Sequence, residues 1–320
     1  MLHPEVLRRN DCIAALAMLY AAYGFYPDDP ILQEYEVVKT SSAPISRSGF
    51  GLCWKGLFLG KHKVAVKGLR SHQNEERTTK LLERETEIWR RLNHTHVLRF
   101  IGLCALDDEM YVVSPWMDNG DAPSYIQRNP HADCVELLLQ VALGLEYLHT
   151  FSPTVVHGDL RGANILISSL GHAQISDFGL SHMVDDKDGH SYSAAWFNAG
   201  SPRWLAPELL AKDNSSEAVW RTTASDVFSF GRLILELTSG RIPFFETVDD
   251  GLVRLKVGEG EIPERPQDED ALARGLDEDM WGLAVECWHR EPSMRPIAQD
   301  LVHHLEALLQ ARGGSLPLEI

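Results

Sequence analysis

Short apolar runs occupy the first third of the chain and predict strands. They fall within residues 36–69, where KVAVK at 63–67 is the clearest example, and again at 97–103 and 110–113. Residues 75–92, between these runs, are polar and favour a helix. This part of the chain therefore predicts a small sheet accompanied by one helix.

Longer apolar segments follow at helical spacing and predict a helical second part. They cover residues 135–149, 224–238 and 280–288. A β-rich part followed by a helical part indicates an α+β fold of two lobes, and clefts between such lobes favour ligands. We assign residues 36–312 to one two-lobed domain, with an N-lobe at 36–114, a hinge at 115–121 and a C-lobe at 122–312. Residues 313–320 are a C-terminal tail.

The first 35 residues predict a helix and a linker ahead of this domain. The apolar run CIAALAMLYAAYGFY at 12–26 is too short to span a bilayer. A secretory signal peptide is the alternative, but Asn10 and Asp11 stand where its positively charged region should meet the apolar core. Apolar residues at helical spacing instead predict an amphipathic helix packed on the domain: Ile13, Leu16, Tyr20 and Tyr23.

Composition and charge limit the classes of partner. Of 320 residues, 44% are hydrophobic and 24% charged, the balance of a soluble globular protein. The 46 acidic residues exceed the 30 basic ones, giving a net charge of −16, so nucleic acid and anionic membrane surfaces are not expected partners. The 5 cysteines lie far apart, without metal-ligand spacing, which indicates a reducing, cytoplasmic environment. The sequence gives no indication of oligomeric state.

Two polar motifs in the second part are the main indication of chemistry. Residues 157–164 are HGDLRGAN, and residues 176–179 are SDFG. Asp and Asn are common in turns, so either motif alone is a weak signal. Both together, in this order and spacing, resemble the catalytic loop and metal-binding motif of eukaryotic protein kinases. The resemblance spans residues 36–310 and is closest to the tyrosine-kinase-like group, in which HGDLRGAN loops are frequent among fungal members.

The resemblance implies an ATP- and Mg²⁺-dependent transfer of phosphate to a protein hydroxyl. Asp159 would orient that hydroxyl and accept its proton. Asn164 and Asp177 would hold Mg²⁺ through oxygen atoms, the ligands that this cation prefers.

A lysine and a glutamate of the first lobe complete the implied catalytic set. Lys67, in VAVK at 64–67, matches the strand lysine that binds the α- and β-phosphates. Its partner would be Glu85 on the following helix, with Glu83 and Glu87 as alternatives. Glutamates two positions apart on a helix face different sides, so only one of them can point towards the lysine.

Three later motifs match structural elements of the family. They are SPRWLAPE at 201–208, SDVFSFG at 225–231 and CWHREPSMRP at 287–296. The first closes the activation loop, which we define as the chain between residues 177 and 208. The resemblance implies structural roles for His157, Phe178, Glu208, Asp226 and Arg295, with Glu208 paired to Arg295 and Asp226 bracing the catalytic loop.

The implied nucleotide site contains both matches and departures. Its residues would be Ile45, Ser46, Ser48, Gly49, Gly51, Cys53, Ala65, Lys67, the gatekeeper Ser114, Pro115, Met117, Asp121 at the ribose, and Leu166. In the phosphate loop only the third family glycine is in register, and serines replace the first two. Because a Cβ restricts backbone approach to phosphate, we expect weakened nucleotide affinity.

Gly158 is a second departure from the family pattern. The family usually has an arginine there, which receives a phosphate on the activation loop. Without that arginine, switching by phosphorylation is expected to be weakened or absent. Ser191, Tyr192 and Ser193 are candidate hydroxyls in the loop.

Three other functions were weighed. A small-molecule kinase shares the HGD motif at residues 157–159 but usually lacks DFG and APE. A pseudokinase scaffold is supported only by the altered phosphate loop. A tyrosine or dual-specificity kinase is suggested by Arg161, whereas Ser201 and Trp204 favour serine or threonine as acceptor. We therefore expect an active serine/threonine protein kinase with a protein substrate.

Overall fold

The structure is a computed structural model that describes residues 4–23, 31–48, 51–69, 86–107, 109–184, 196, 199–210 and 219–313. The chain divides into two compact units. Residues 1–93 and 98–117 form the β-unit, and residues 94–97 and 118–320 form the helical unit. Within the described ranges, no helix combines the length and the apolar character that a membrane crossing requires.

A seven-stranded sheet forms the β-unit, in the order β1-β6-β7-β5-β4-β2 with β3 paired to β4. All pairings are antiparallel except that of β1 with β6. Residues 86–89 are helical, at the end of the stretch predicted as a helix. The strands are Ile31–Leu32 (β1), Val37–Lys39 (β2), Ser46–Ser48 (β3), Gly51–Phe58 (β4), His62–Leu69 (β5), Gly102–Leu106 (β6) and Glu109–Pro115 (β7).

The strand expected at residues 97–103 is displaced along the chain, because β6 begins only at Gly102. Leu98 and Ile101 are buried outside the sheet, and Val97 makes a single bridge with Ile175 in the helical unit. A short apolar run reports burial but does not by itself distinguish a strand from a packed loop, which accounts for the error.

Helix α1 (Pro4–Tyr23) covers one face of this sheet. Ala17 is buried in the same apolar core as Phe58, Val64 and Val66. The ring of Tyr20 meets that of Phe58 edge-on at 5.2 Å. Ile13 and Leu16 also pack against this core, at the helical spacing of the sequence, whereas the side chain of Tyr23 lies outside the described residues.

The described residues contain eight α-helices, and all but α1 belong to the helical unit. Helix α4 (Thr223–Ser239) is buried along its length although it contains Asp226, Arg232 and Glu236. Helices that are buried on all sides normally are apolar, so these charged residues require a local explanation. The remaining bounds are Ala122–Arg128 (α2), Cys134–Thr150 (α3), Asp250–Glu259 (α5), Glu269–Ala273 (α6), Glu278–Cys287 (α7) and Ala298–Ala311 (α8).

Local sequence signals set the ends of the long helices. Asp133 accepts hydrogen bonds from the amides of Val135 and Glu136 and so caps the start of α3. α4 begins with a reciprocal pair of bonds between Thr222 and Ser225. It ends at Gly240, whose φ of 69° is a left-handed conformation that glycine adopts without strain.

Two short strand pairs support the loops of the helical unit. β9 (Ile165–Ile167) pairs with β10 (Ala173–Ile175), and β8 (Val155–Val156) pairs with β11 (His182–Met183). The catalytic-loop motif lies between β8 and β9 and ends in a 3₁₀ turn at Gly162–Asn164. Strands therefore hold both ends of the HGDLRGAN segment.

Candidate active site

The predicted nucleotide residues of the β-unit share one face of the sheet. Antiparallel partners point to the same face, and so do alternate residues of one strand. Ser46 lies opposite Cys53, which in turn lies opposite Lys67. The same rule adds Ala65, opposite Ser114, while the backbone of Ser48 is in register with Gly51. α1 packs against Val64 and Val66, so it lies on the other face.

Charge and burial at this face are illustrated by Cys53. Burial raises the pKa of its thiol, while the nearby Lys67 ammonium and a hydrogen bond with Ser46 lower it. Cys53 is therefore held as a neutral, half-buried thiol beside the lysine. Lys67 is the register partner of Cys53 across β4 and β5, so these two predicted nucleotide residues are neighbours.

The end of β7 forms the predicted hinge on the side of the β-unit. Ser114 and Met117 are buried, and Pro115 ends the strand. The amide of Trp116 donates to the carbonyl of Lys63 at 3.1 Å, which extends the pairing of β7 with β5 by one residue. The backbone at the predicted adenine position is thus held by the sheet.

Two more predicted nucleotide residues lie in the helical unit. Asp121 accepts a hydrogen bond from the amide of Ser124 at 2.8 Å and caps α2. Asp121 also forms an isolated bridge with Leu166 in β9. Capping uses Oδ1 of Asp121 and leaves Oδ2 outside this contact.

Some predicted residues are not grouped in this way. Gly49 and Glu85, and also the alternative Glu83 and the hydroxyls at 191–193, lie outside the described residues. Glu87, the other alternative, is exposed. Ile45 is 52% exposed at the edge of β3.

Asp226 fixes the backbone of the catalytic loop through hydrogen bonds. This fully buried carboxylate accepts hydrogen bonds from the amides of His157 and Gly158, both at 2.8 Å. It also accepts one from Nε2 of His149 at 3.1 Å. Burial would raise the pKa of Asp226, but these donors outweigh it and hold the pKa below its ordinary value. The carboxylate is therefore a charged brace for the loop.

His157 links the two sequence motifs. Its Nδ1 accepts from the amide of Asp159 at 3.3 Å, so Nε2 bears the proton and donates to the carbonyl of Ser176 at 3.1 Å. Its ring meets that of Phe178 edge-on at 5.4 Å, and Phe178 is completely buried. The catalytic loop and the SDFG motif are thereby packed as one assembly.

Three polar side chains converge at the centre of this assembly. Asn164 donates from Nδ2 to the carbonyl of Asp159 at 2.8 Å and to its Oδ2 at 2.9 Å. Burial raises the pKa of Asp159, and the charge of Asp177 raises it further, while Arg161 opposes the rise. Asp177 adopts a left-handed φ of 69°, unusual for a residue with a Cβ. Two mutually repelling carboxylates at a strained turn are the arrangement that a cation would relieve.

The donor set fits Mg²⁺. Both hydrogens of the Asn164 amide are used on Asp159, so its Oδ1 would be available as a neutral oxygen ligand, together with the carboxylate of Asp177. The described part of the chain contains no cluster of three or more His, Cys, Asp or Glu residues able to hold a metal. Mg²⁺ usually binds through one or two protein carboxylates together with phosphates and water.

The late arginine makes the ion pair that the resemblance implied. Arg295 donates to Glu208 in a bidentate pair at 2.7 and 2.8 Å. It also donates to the carbonyls of His289 and Ala224, both at 2.9 Å. The segment that closes the activation loop is thereby fixed to α4 and to the chain that follows α7.

Comparison with known proteins identifies the family. A family model described as "protein tyrosine and serine/threonine kinase" matches residues 40–305. The chain belongs to this family. The expected α+β, two-lobed protein kinase fold is confirmed.

Curated relatives agree with this assignment. The chain is 27% identical over 280 residues to serine/threonine-protein kinase 12 of Arabidopsis thaliana, covering 86% of the chain and 57% of the relative. It is 30% identical over 301 residues to salt tolerance receptor-like cytoplasmic kinase 1 of Oryza sativa subsp. japonica, covering 86% and 80%. Cell division control protein 7 of Schizosaccharomyces pombe is 26% identical over 264 residues, covering 81% and 23%. The chain spans about half the length of the first relatives it matches, 57% and 50%.

Sequence reasoning missed a buried carboxylate beneath the kinase catalytic loop. Glu236 accepts hydrogen bonds from the amide of Gly162 at 2.8 Å and from Nε1 of Trp204 at 2.9 Å. Burial raises its pKa to about 7, although both donors and Arg161 lower it. A Cβ at position 162 would lie 2.7 Å from this carboxyl group, so glycine permits the contact. Glutamate in an apolar helical segment gave no signal of this role.

Arg203 is a second residue of the kinase that the sequence did not single out. It is buried and donates to the carbonyls of Pro243, Phe244 and Thr247 at 2.7–2.9 Å. Its Nε also pairs with Asp250 at 2.8 Å. These contacts join the SPRWLAPE segment to the loop before α5, a connection that depends on residues about 40 positions away.

Proposed function

We propose that this kinase is catalytically active and transfers the γ-phosphate of ATP to serine or threonine hydroxyls of a protein substrate. The bidentate use of the Asn164 amide on Asp159 is the observation that supports activity most directly. It fixes the carboxylate of the predicted base while leaving one oxygen of Asn164 for a metal. A scaffold without chemistry would have no need of that arrangement.

Each side chain then has a defined task. Asp159 orients the acceptor hydroxyl and takes its proton, and His157 fixes Asp159 through the backbone. Lys67 binds the α- and β-phosphates, with Glu85 as its expected partner. Asn164 and Asp177 would hold Mg²⁺, which supplies neutralisation of charge at the phosphates. Most of the acceleration is expected from positioning and charge stabilisation.

Nucleotide contacts are proposed from the shared face of the sheet. Ser46, Ser48 and Gly51 would approach the phosphates, and Ala65 and Ser114 the adenine. The small Ser114 would leave room behind the base. Because serines replace glycines in the phosphate loop, we expect a raised KM for ATP rather than loss of binding.

Serine and threonine are favoured as acceptors for two reasons. Relatives at 27% and 30% identity include one named a serine/threonine-protein kinase. Ser201 and Trp204, in the segment that closes the activation loop, also match the pattern of serine/threonine kinases. We place the chain in the tyrosine-kinase-like group, with fungal-type HGDLRGAN members. Tyrosine or dual specificity is the second candidate, because Arg161 matches tyrosine kinases.

The cytoplasm is the proposed compartment. All 5 cysteines are free thiols, and one of them, Cys12, is exposed. Exposed thiols persist as such where the environment is reducing.

Phosphotransfer to a generic protein acceptor tests the proposal. Purified chain is incubated with Mg²⁺ and γ-labelled ATP beside three variants: Lys67→Met, Asp159→Asn and the surface control Arg290→Met. Label on serine or threonine that the first two variants abolish and the control retains is the expected result. Label on tyrosine would overturn the acceptor assignment alone. No label, together with no nucleotide binding in a direct titration, would replace the enzyme by a scaffold.

A further inference from the structure

Gly158 occupies a position that no other residue type fits. Its φ of +80° lies in the left-handed region, and a Cβ there would lie 2.6 Å from Cδ of Arg221 and 2.7 Å from the carbonyl oxygen of Leu180. The carbonyl oxygen belongs to the backbone, and the Arg221 side chain is buried and hydrogen-bonded through all three nitrogens, so neither obstacle can move away without breaking these contacts. The loss of the family arginine at 158 is therefore matched by the presence of another arginine in the space beside it.

Arg221, just before α4, is buried with 2% of its surface exposed. Each of its three nitrogens donates to a different carbonyl. Nε donates to Gly158 at 3.0 Å, Nη1 to Trp196 at 3.2 Å and Nη2 to Ala199 at 2.8 Å. One side chain thus binds the catalytic loop and two points of the activation loop. Only a guanidinium has donors arranged to do so.

Both backbone polar groups of Gly158 are hydrogen-bonded to residues in or just before the first turn of α4. Its amide donates to Asp226 at 2.8 Å, and its carbonyl accepts from Arg221 at 3.0 Å. This residue directly precedes Asp159, the predicted base. A change in the Gly158 peptide would therefore move the carboxylate that aligns the substrate hydroxyl.

Aromatic packing holds the activation-loop end of this contact. The guanidinium of Arg221 lies 4.5 Å from the ring centre of Trp196, which is 4% exposed. Trp196 also contacts the rings of His182 and Trp220, at 5.7 and 5.9 Å. Trp196 is therefore held by contacts with the early part of the activation loop, at His182, and with the residues just before α4.

The charge of Arg221 and the nature of its partners favour a permanent contact with the two loops. Burial lowers the pKa of Arg221, while Asp159 and Asp226 raise it, and an arginine remains charged in proteins. Its donors are satisfied by backbone carbonyls, which are always present. A phosphate, by contrast, would have to be added and removed.

We propose that Arg221 is the positioning residue that holds the activation loop against the catalytic loop, in place of an arginine–phosphate contact, so that activity does not require phosphorylation of the loop. The proposal rests on the proposed kinase activity for its functional part. Its structural part, the tethering of Trp196 and Ala199, stands independently of activity.

The test compares wild type, Arg221→Met, Arg221→Lys and the surface control Arg290→Met. Each protein is produced with a co-expressed phosphatase, and the absence of phosphate is verified by mass spectrometry. Two readouts follow: kcat and KM for ATP, and hydrogen–deuterium exchange of peptides containing Trp196 and Ala199. Thermal melting checks that each variant folds, and Arg221→Lys keeps the test open if Arg221→Met does not fold.

Unphosphorylated wild type is expected to be fully active. Arg221→Met should lose about 10- to 100-fold in kcat with KM for ATP nearly unchanged, because the base is misplaced and the nucleotide site is not. Arg221→Lys should lose less, since one ammonium can reach only one of the carbonyls. Both should exchange faster at Trp196 and Ala199, and Arg290→Met should match wild type.

Three results would contradict the proposal. Unchanged exchange in a folded Arg221 variant would show that this residue does not tether the loop. A wild type that is active only when phosphorylated would show that Arg221 does not replace phosphate. A raised KM for ATP with unchanged kcat in the Arg221 variants would mean that Arg221 acts on nucleotide binding rather than on the position of Asp159. If wild type is inactive in every state while exchange responds as expected, the proposed activity fails and the tether remains.

Discussion

The ion pair between Glu208 and Arg295 gives a quantitative test of how burial controls electrostatic stability. The Arg295 side chain is 0% exposed and that of Glu208 is 26% exposed, with a closest N–O distance of 2.7 Å. Loss of one partner of a buried pair usually costs about 3–5 kcal/mol. Because the partly exposed carboxylate is already hydrated to some extent, we expect a coupling free energy of about 2–3 kcal/mol here.

A surface pair in the same unit is the matched control. Arg265 and Glu278 are 2.6 Å apart, but their side chains are 21% and 86% exposed. Coulomb attraction at equal distance is weakened by water, so their coupling should not exceed about 1 kcal/mol. Distance is thus held constant while burial changes.

Two double-mutant cycles measure these couplings by urea denaturation. The first uses Glu208→Gln and Arg295→Met, singly and together, and the second uses Arg265→Met and Glu278→Gln. Either single change in the buried pair should lower the melting temperature by about 4–12 °C. The double variant should be more stable than the sum of the single effects predicts. Equal coupling in the two cycles would refute the reasoning, because it would mean that burial does not determine the strength of the pair.

Three other changes should alter stability in stated directions. Arg232→Met should raise stability by about 1–3 kcal/mol, because the buried guanidinium has no hydrogen-bond partner among the described residues and lies near the rings of Phe228, Phe244 and Trp288. A lower melting temperature would contradict this. Glu236→Gln should remove a pH dependence. Its pKa rises from 4.5 to about 7 on folding, so the folded wild type holds the proton more tightly and loses stability as pH rises between those values; identical stability–pH curves for variant and wild type would exclude it. Tyr20→Ala should lower stability by about 1–3 kcal/mol by loosening α1 from Phe58, as measured by denaturant midpoint, whereas an unchanged midpoint would mean that α1 does not stabilise the sheet.

The sequence was most informative where a residue's role depends on its own chemistry and near neighbours. Asp159 and Asn164 are five positions apart, and the short loop between them brings their side chains into direct hydrogen bonds. The helices at 135–149, 224–238 and 280–288 were predicted nearly to their ends, because apolar spacing and capping residues act locally. The assignment of individual site residues remains a prediction that the experiments above test.

In the N-terminal segment, the sequence predicted the helix but not the strand that follows it. Helical spacing of apolar residues indicated a packed helix, and the structure places α1 on the sheet. The two-residue strand β1 had no comparable signal, because a pair of apolar residues has no periodicity to detect. Its parallel pairing with β6 depends on backbone bonds to residues about 70 positions later.

Sequence by itself indicated the family and the α+β character, and it predicted a set of polar residues for phosphoryl transfer, since these follow from local spacing and residue type. It also showed that Gly158 departs from the family pattern. Only the tertiary structure decided what fills that place. Arg221 is 63 positions away from Gly158 in the chain. Its hydrogen bonds, like those of Glu236 with Gly162 and Trp204, form only when folding brings distant backbone and buried charge together, where unpaired groups would be too costly to leave.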